Sequence, residues 1–376
     1  MKILSVAGAR PNFVKIAPIL RALEAESAGR IESVLVDTGQ HYDDTMAGSF
    51  FSDLRIPKPH HSLRVGSASH AAQTAMIMQR FEPVLLQEQP DVVLVVGDVN
   101  STMACALVAA KLGIAIAHVE AGLRSFDRNM PEEINRVVTD TLSDFLFTTE
   151  ASANDNLARE GVAPEKVHFV GNVMIDSLRW AQPLAARSTI LERLGVAADK
   201  YAVVTLHRPS NVDDPTRLAS ILAALADLSN EVPVLFPAHP RTLARISELE
   251  SADHFEQLSL DGGGATAQRG RITLLKPIGY VDFVRLTAAA AVVLTDSGGI
   301  TEETTCLGVP CLTLRANTER PVTAELGSNT VAGTDPTQLL AMARSALRSG
   351  RKEARLPPLW DGHAAERIVR VLVEMR

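Results

Sequence analysis

The segment DVVLVVGDVNSTMACALVAAKLGIAIAHVEAG, residues 91–122, decides the fold. An apolar run, a helix-forming stretch and a second apolar run follow one another, which is the composition of a β-α-β unit. The same alternation extends in both directions. KILSVAG is followed by a helix through FVKIAPILRALEAES and then by IESVLVDTG. A second set begins near residue 200 with YAVVTLH, the helix PTRLASILAALADLS, VPVLFPAH, RITLLKP, the helix VDFVRLTAAA, AVVLTD, the helix TEETTCLG and PCLTLR. The stretch WAQPLAARSTILERLGVAADK between the two sets is the expected crossover. The pattern predicts an α/β protein of two doubly wound domains, each a parallel sheet covered by helices on both faces. Ligands of such sheets bind beyond the carboxyl ends of the strands, and two facing sheets put one cleft between them. DGGGATAQRG, residues 261–270, reads as a flexible surface loop.

Composition narrows the function classes. The chain has 376 residues, 46% hydrophobic and 22% charged, enough for two or three domains with a large core. No apolar run approaches the roughly 18–20 residues that span a bilayer, so no membrane role is expected. In MKILSVAGARPNFVK the apolar part stops at Arg10, which predicts the first strand of a cytoplasmic protein and not a signal peptide. The net charge of −7 argues against nucleic acid as the main partner but leaves a small anion free to meet a local cationic patch. Cys105, Cys306 and Cys311 lack metal-ligand spacing and sit in apolar segments, as buried free thiols do. The ten histidines are scattered, so no metal is expected.

Charged residues gather at strand ends. Asp98 ends VVLVVGD and Glu120 ends IAIAHVE, so the β-α-β unit puts two carboxylates on one rim. Asp98 also suits the cap of the next helix, in DVNST. Pro131, Glu132 and Glu133 in NMPEEINR suit a helix start, where acids are common for dipole reasons alone. Arg10 and Lys15 flank the turn after the first strand in GARPNFVK, whose glycine spacing fits neither a dinucleotide fingerprint nor a Walker loop. Arg124 follows Glu120, His207 and Arg208 end the first strand of the second domain, and Arg320 lies in NTERP.

TDSGGITEE, residues 295–303, puts Ser297, Gly298 and Gly299 at the mouth of a helix. Free N–H groups there, with the Ser297 hydroxyl, would hold a diphosphate. Glu303 lies one turn further in, about 6 Å along the axis, where it would accept from ribose hydroxyls. A nucleoside diphosphate is the expected ligand.

As an ordered set, GARPNFVKIAPI, TGQH, VVGDVNST, HVEAGLRS, PEEINR, GNVMID, LHRPSNVD, AHPRT, LTDSGGITEE, NTERP and LWDGHAAERI resemble the non-hydrolysing UDP-N-acetylglucosamine 2-epimerase family over nearly the whole chain. The resemblance implies two facing Rossmann-like domains of the GT-B type with the active site in the interdomain cleft. It places an N-terminal domain at 1–175, a UDP-binding domain at 176–358 and a last helix, 359–376, returning to the first domain. It also implies a homodimer, a UDP-sugar substrate and no cofactor. By motif position, Arg10, Lys15, Asp98, Glu120, His207, Phe283, Ser297, Gly298, Gly299, Glu303 and Arg320 would contact substrate. Asp98, Glu120, Glu132 and His207 would be catalytic. Departures occur at Ser210, where a glutamate is common, at Thr301, where a glutamine is common, and at Ile278, where some members carry glutamine. Gln40 and His239 match an activator site for a second UDP-GlcNAc, but Asp43 stands where a second glutamine is common.

The activity implied is epimerisation of UDP-GlcNAc to UDP-ManNAc through elimination of UDP to 2-acetamidoglucal and re-addition. Protonation from two faces requires at least two acid/base groups, which accounts for several carboxylates on one rim. A diacetamido-sugar epimerase, a hydrolysing relative and a nucleotide-sugar binder without catalysis stand as alternatives on the same fold.

Overall fold

The computed structural model describes residues 1–26, 31–39, 51–249, 254–258, 266–351 and 355–374, with the Arg10 side chain outside that description. The chain forms two compact units, Met1–Arg179 with Pro358–Arg376, and Trp180–Pro357. The helix Val173–Ala185 runs unbroken through residue 175, and the division falls within it.

In the first unit, β1 (Lys2–Ala7), β2 (Glu32–Asp37), β3 (His61–Ser62), β4 (Val92–Val96), β5 (Ala115–Ala121), β6 (Phe145–Thr148) and β7 (Val167–Phe169) form one sheet in the order β3-β2-β1-β4-β5-β6-β7. Every pairing is parallel, and β4 pairs with β5 from Val92 opposite Ala115 to Val96 opposite Val119. All five β4 residues are buried, as a strand covered on both faces requires. On one face Leu4, Val6, Val93 and Val95 pack against Ile77 and Phe81 of the helix His70–Glu88 and against Ala104, Cys105 and Ala109 of the helix Asn100–Lys111. Alanine and cysteine at those positions let the second helix approach the strands closely.

The helix Arg10–Glu26 packs on the helix Ala364–Glu374 within the same unit. Trp360 is fully buried and its indole N–H donates to the Thr149 carbonyl at 2.9 Å. Asp176 caps the last helix from a distance in sequence: its carboxylate accepts the N–H of Ala364 at 3.2 Å and of Ala365 at 2.7 Å. Two of the N–H groups that a helix start leaves unmatched are satisfied in this way.

The second unit repeats the plan. Its strands are β8 (Ala202–Thr205), β9 (Val234–Pro237), β10 (Phe255–Leu258), β11 (Ile272–Leu275), β12 (Val292–Thr295), β13 (Cys311–Thr313) and β14 (Asn329–Val331), again all parallel, in the order β10-β11-β9-β8-β12-β13-β14. Val204, Val234, Phe236 and Leu294 pack against Ile221, Leu222 and Leu225 of the helix Pro215–Ser229. The strand order reverses between β1 and β4 in the first sheet and between β8 and β12 in the second. Those are the switch points where open α/β sheets bind ligands.

Three details differ from the sequence reading. The first helix begins at Arg10, ahead of FVKIAPI, because the Asn12 side chain accepts the Ala9 N–H at 3.1 Å and closes the turn early. The crossover stretch is itself partly helical, holding the end of Val173–Ala185 and the short helix Ile190–Leu194. Cys306 is only partly buried, unlike Cys105 and Cys311. The first half of the 261–270 loop, residues 261–265, lies outside the described residues.

Burial pushes the Asp176 carboxyl up to about 6 from 3.8, against the pull of the Ala365 and Ala364 N–H groups. The folded chain therefore holds that proton through a window where the unfolded chain has lost it, and this stability fades as pH rises from about 4 to about 6. Asp176→Asn removes the titration. Chemical denaturation is expected to show wild type losing at most about 3 kcal/mol relative to the variant across that window. A constant difference between the two proteins from pH 4 to pH 7 contradicts this account.

Candidate active site

At the first switch point the chain leaves β4 through Gly97 and Asp98. Gly97 has φ +67, a left-handed conformation that favours glycine, and a Cβ there would lie 2.8 Å from the Lys15 ammonium nitrogen. Asp98 is not the helix cap: Val99 holds that position, with no side-chain cap bond. The Asp98 carboxylate instead meets Arg136 of the helix Pro131–Leu142. Arg136 also holds the buried Glu133 at 2.9 Å, and Glu133 accepts the backbone N–H of Ser125 and Phe126.

One strand over, Glu120 has φ +75, and the β5–β6 register shifts between Val119 and Ala121. Glu120 is thus the extra residue of a β-bulge, held in a left-handed conformation that costs a non-glycine residue about 1–3 kcal/mol. The bulge re-aims its side chain, which is buried and ion-paired with Lys15. Lys15 comes from the helix after β1, Asp98 from the end of β4 and Glu120 from the end of β5, so the structure gathers all three at one rim. Glu132, in the first turn of Pro131–Leu142, is partly exposed beside the buried Glu133. Arg124 turns into the fold and binds Asp140 at 2.7 Å and Glu160 at 2.6 Å.

The second switch point is organised by a residue that sequence reasoning passed over. Asp296, fully buried at the end of β12, accepts the His207 N–H at 3.1 Å, the Arg208 N–H at 2.9 Å and the Asn211 amide at 3.2 Å. Its Oδ1 also lies 2.8 Å from His207 Nδ1. Burial opposes the charge on Asp296, but His207 and these N–H donors outweigh it and hold the carboxyl below the ordinary range. The imidazole is half exposed and anchored at Nδ1.

The next residues enter the helix Gly298–Leu307 with Ser297 as cap and no side-chain cap bond. The first-turn N–H groups of that helix have no intrahelical partner. A Cβ at Gly298 would come within 3.0 Å of Glu319 Oε1, and Glu319 is buried between Arg315 at 2.6 Å and Arg208 at 3.3 Å. The glycine therefore keeps the turn open against a carboxylate that two arginines hold. Arg320 is buried and its Nε donates to Glu302 at 2.6 Å.

Glu303 lies inside the fold, and the Tyr280 hydroxyl donates to its Oε1 at 2.8 Å. Burial lifts its carboxyl from 4.5 to about 7; Tyr280 lowers it and Glu302 raises it further. Phe283 is partly buried against the apolar cluster that includes Ile278. Thr301 donates to the Gly298 carbonyl at 2.6 Å, Ser210 is exposed, and His239 caps the helix Pro240–Ser247. The Arg10 side chain, Gln40 and Asp43 lie outside the described residues.

The family profile for UDP-N-acetylglucosamine 2-epimerase matches residues 22–373. The chain belongs to that family. The UDP-N-acetylglucosamine 2-epimerase of Methanocaldococcus jannaschii is 40% identical over 377 residues, 99% of each chain. The UDP-2,3-diacetamido-2,3-dideoxy-D-glucuronate 2-epimerase of Pseudomonas aeruginosa is 38% identical over 380 residues, all of both chains. The solved structure of the M. jannaschii UDP-GlcNAc 2-epimerase in complex with UDP-GlcNAc and UDP superposes with a TM-score of 0.89 and full coverage of both chains. Among the described residues, no helix is long and apolar enough to cross a membrane.

The fold adds groups to which motif reading had given no role at the site: Asp296, Arg136, Glu133 and Tyr280. Arg136 and Glu133 stand in the quoted motif PEEINR, yet only the fold reveals that they hold Asp98 and the 125–126 backbone. The raised Glu303 carboxyl gives a direct check on its burial. Between about pH 4.5 and pH 7 the folded chain keeps a proton that the unfolded chain releases, so stability falls as pH rises through that window. Glu303→Gln is expected to flatten this slope in chemical denaturation. An unchanged slope would mean the carboxyl is not desolvated as described.

Proposed function

We propose that the protein interconverts UDP-N-acetylglucosamine and UDP-N-acetylmannosamine by eliminating and re-adding UDP, without net hydrolysis. The observation that carries this reading is the rim where Lys15 meets Glu120 and Arg136 meets Asp98, in a chain of this family. A pure binder of an anionic nucleotide gains nothing from carboxylates there.

In the proposed reaction a carboxylate of the Asp98, Glu120 and Glu132 set takes the C2 proton. The electron pair forms the C1–C2 double bond of 2-acetamidoglucal, and the C1–O bond breaks to release UDP. A second acid delivers a proton to C2 from the opposite face, and the UDP oxygen returns to C1. Each positioned proton transfer contributes typically about 10²–10⁴-fold. UDP gains negative charge as it leaves, so the N–H groups at Gly298 and Gly299, the Ser297 hydroxyl, Arg10, Lys15, Arg320 and His207 act as its electrostatic partners. Asp296 supports the His207 ring from Nδ1 and leaves Nε2 to face the diphosphate. Glu303 serves the ribose, and Phe283 lies against the nucleotide. The working form is a cytoplasmic homodimer.

A second reading has its own support. The P. aeruginosa diacetamido-sugar epimerase matches the full length at nearly the same identity as the UDP-GlcNAc enzymes. The substituent at C3 is therefore decided by assay. Purified protein in deuterated water is expected to convert UDP-GlcNAc to UDP-ManNAc carrying deuterium at C2. Turnover of the diacetamido sugar alone favours the second reading, and free ManNAc as the main product means that the enzyme hydrolyses.

Asp98→Asn, Glu120→Gln and Glu132→Gln preserve shape while removing a base and a negative charge. UDP affinity measured by calorimetry is expected to hold or rise, while kcat falls roughly 10²-fold or more for each. A variant that stays fully active removes its residue from the proton chemistry. Activity in all three overturns the carboxylate mechanism.

A further inference from the structure

Beneath the first rim lies a histidine with no part in the chemistry above. His118 is on β5, two residues before Glu120, and is completely buried. Its Nδ1 lies 2.6 Å from Asp140 Oδ1 and its Nε2 lies 2.8 Å from the Gly97 carbonyl oxygen. A carbonyl oxygen can only accept, and so can an ionised carboxylate. A neutral imidazole has one N–H and one lone pair, and would set that lone pair against one of these two oxygens. With protons on both nitrogens, each contact becomes a hydrogen bond.

The alternative is a neutral Asp140 that donates to Nδ1. The buried Arg124 guanidinium, 2.7 Å from the other Asp140 oxygen, argues against it, since a cation held there favours the ionised carboxylate; the Gly122 N–H at 3.0 Å adds a second donor. Burial opposes ionisation of Asp140, and the charge and hydrogen bond of Arg124 pull the carboxyl the other way. Charge balance agrees: Asp140 and Glu160 carry two negative charges against Arg124 and His118, and the set is neutral only with a charged imidazole.

We propose that His118 is a buried imidazolium, protonated on both ring nitrogens, that positions the Gly97–Asp98 turn and the Glu120 bulge relative to each other for proton transfer. The inference rests on the reading that Asp98 and Glu120 handle the substrate proton. One ring holds the carbonyl of the peptide that leads into Asp98, while its backbone sits on the strand that carries Glu120. It is a positioning residue, since it touches neither of the two carboxylates that would act. The other charged groups around this network are Lys15, Glu133 and Arg136 on the rim, and Asp140, Arg124 and Glu160 beneath it.

The charge state is tested on the wild-type full chain labelled with ¹⁵N-histidine. Two-bond ¹H–¹⁵N correlation spectra at pH 7.5 are expected to show both His118 nitrogens at protonated shifts. One nitrogen at a lone-pair shift overturns the proposal, whether or not the enzyme is active. The positioning role is tested with His118→Gln, which keeps one donor for the Gly97 carbonyl, and with Asp140→Asn, which withdraws the counter-charge.

Both variants are expected to lower kcat about 10-fold or more with KM within about threefold, scored per folded site by UDP titration. Loss of the cation in His118→Gln is expected to move the acid limb of the kcat profile up by about half a unit. A merely structural role would reduce the folded fraction and leave both kcat per site and the profile unchanged, and that outcome overturns the proposal. If His118→Gln does not fold, Asp140→Asn and the wild-type spectrum still decide. A wild-type protein that turns over no UDP-sugar removes the proposed function and the positioning role together, while the spectrum reports the charge state on its own.

Discussion

A carboxylate withdrawn from water is tolerated only when cations or N–H groups meet it, and that constraint organises both switch points. Glu120 meets Lys15, Asp98 and Glu133 meet Arg136, Asp140 meets Arg124 and His118, Asp296 meets His207 and two backbone N–H groups, and Glu319 meets two arginines. Apart from Glu133 with Arg136 on one helix and Glu319 with Arg315 in one loop, these pairings draw their partners from different segments of the chain. The charges that chemistry needs are therefore also the ties that fix where strand ends and helix starts lie. Among the described residues, Glu303 departs from this pattern: it accepts from the Tyr280 hydroxyl at 2.8 Å, and burial lifts its carboxyl to about 7.

The two sheets use this constraint differently. In the first, a bulge turns a strand residue toward the rim and a lysine from the preceding crossover answers it. In the second, one carboxylate gathers the backbone of the neighbouring strand end and orients an imidazole. The first arrangement concentrates acids, and the second presents donors around a glycine turn. Proton transfer suits one and anion binding suits the other.

Much of this was legible in the sequence. The alternation of strands and helices gave two parallel sheets, because buried parallel strands are continuous apolar runs with long crossovers between them. Asp98, Glu120, His207 and the Ser297–Gly299 turn could be marked because strand ends are visible as the point where such a run meets a polar residue. What a run cannot display is its partner from far along the chain. Arg136 lies 38 residues from Asp98, and Asp296 lies 89 residues from His207. The left-handed backbone at Glu120 left no trace either, since glutamate is not a residue that announces positive φ. The ribose role of Glu303 rests on its helical offset, and offset gives direction along an axis but not depth in the fold.

The order of the units along the chain has a consequence for synthesis. The first unit needs residues 358–374, whose helix packs on Arg10–Glu26 and whose Trp360 and Asp176 contacts close its far side. Those residues leave the ribosome after all of Trp180–Pro357 has emerged. The later unit is contiguous and can complete its core while the earlier one still waits with the apolar face of its first helix uncovered. An interval of exposed hydrophobic surface is therefore built into every round of translation. A nonsense mutation near residue 360 would extend that interval indefinitely, damaging the half of the protein made first.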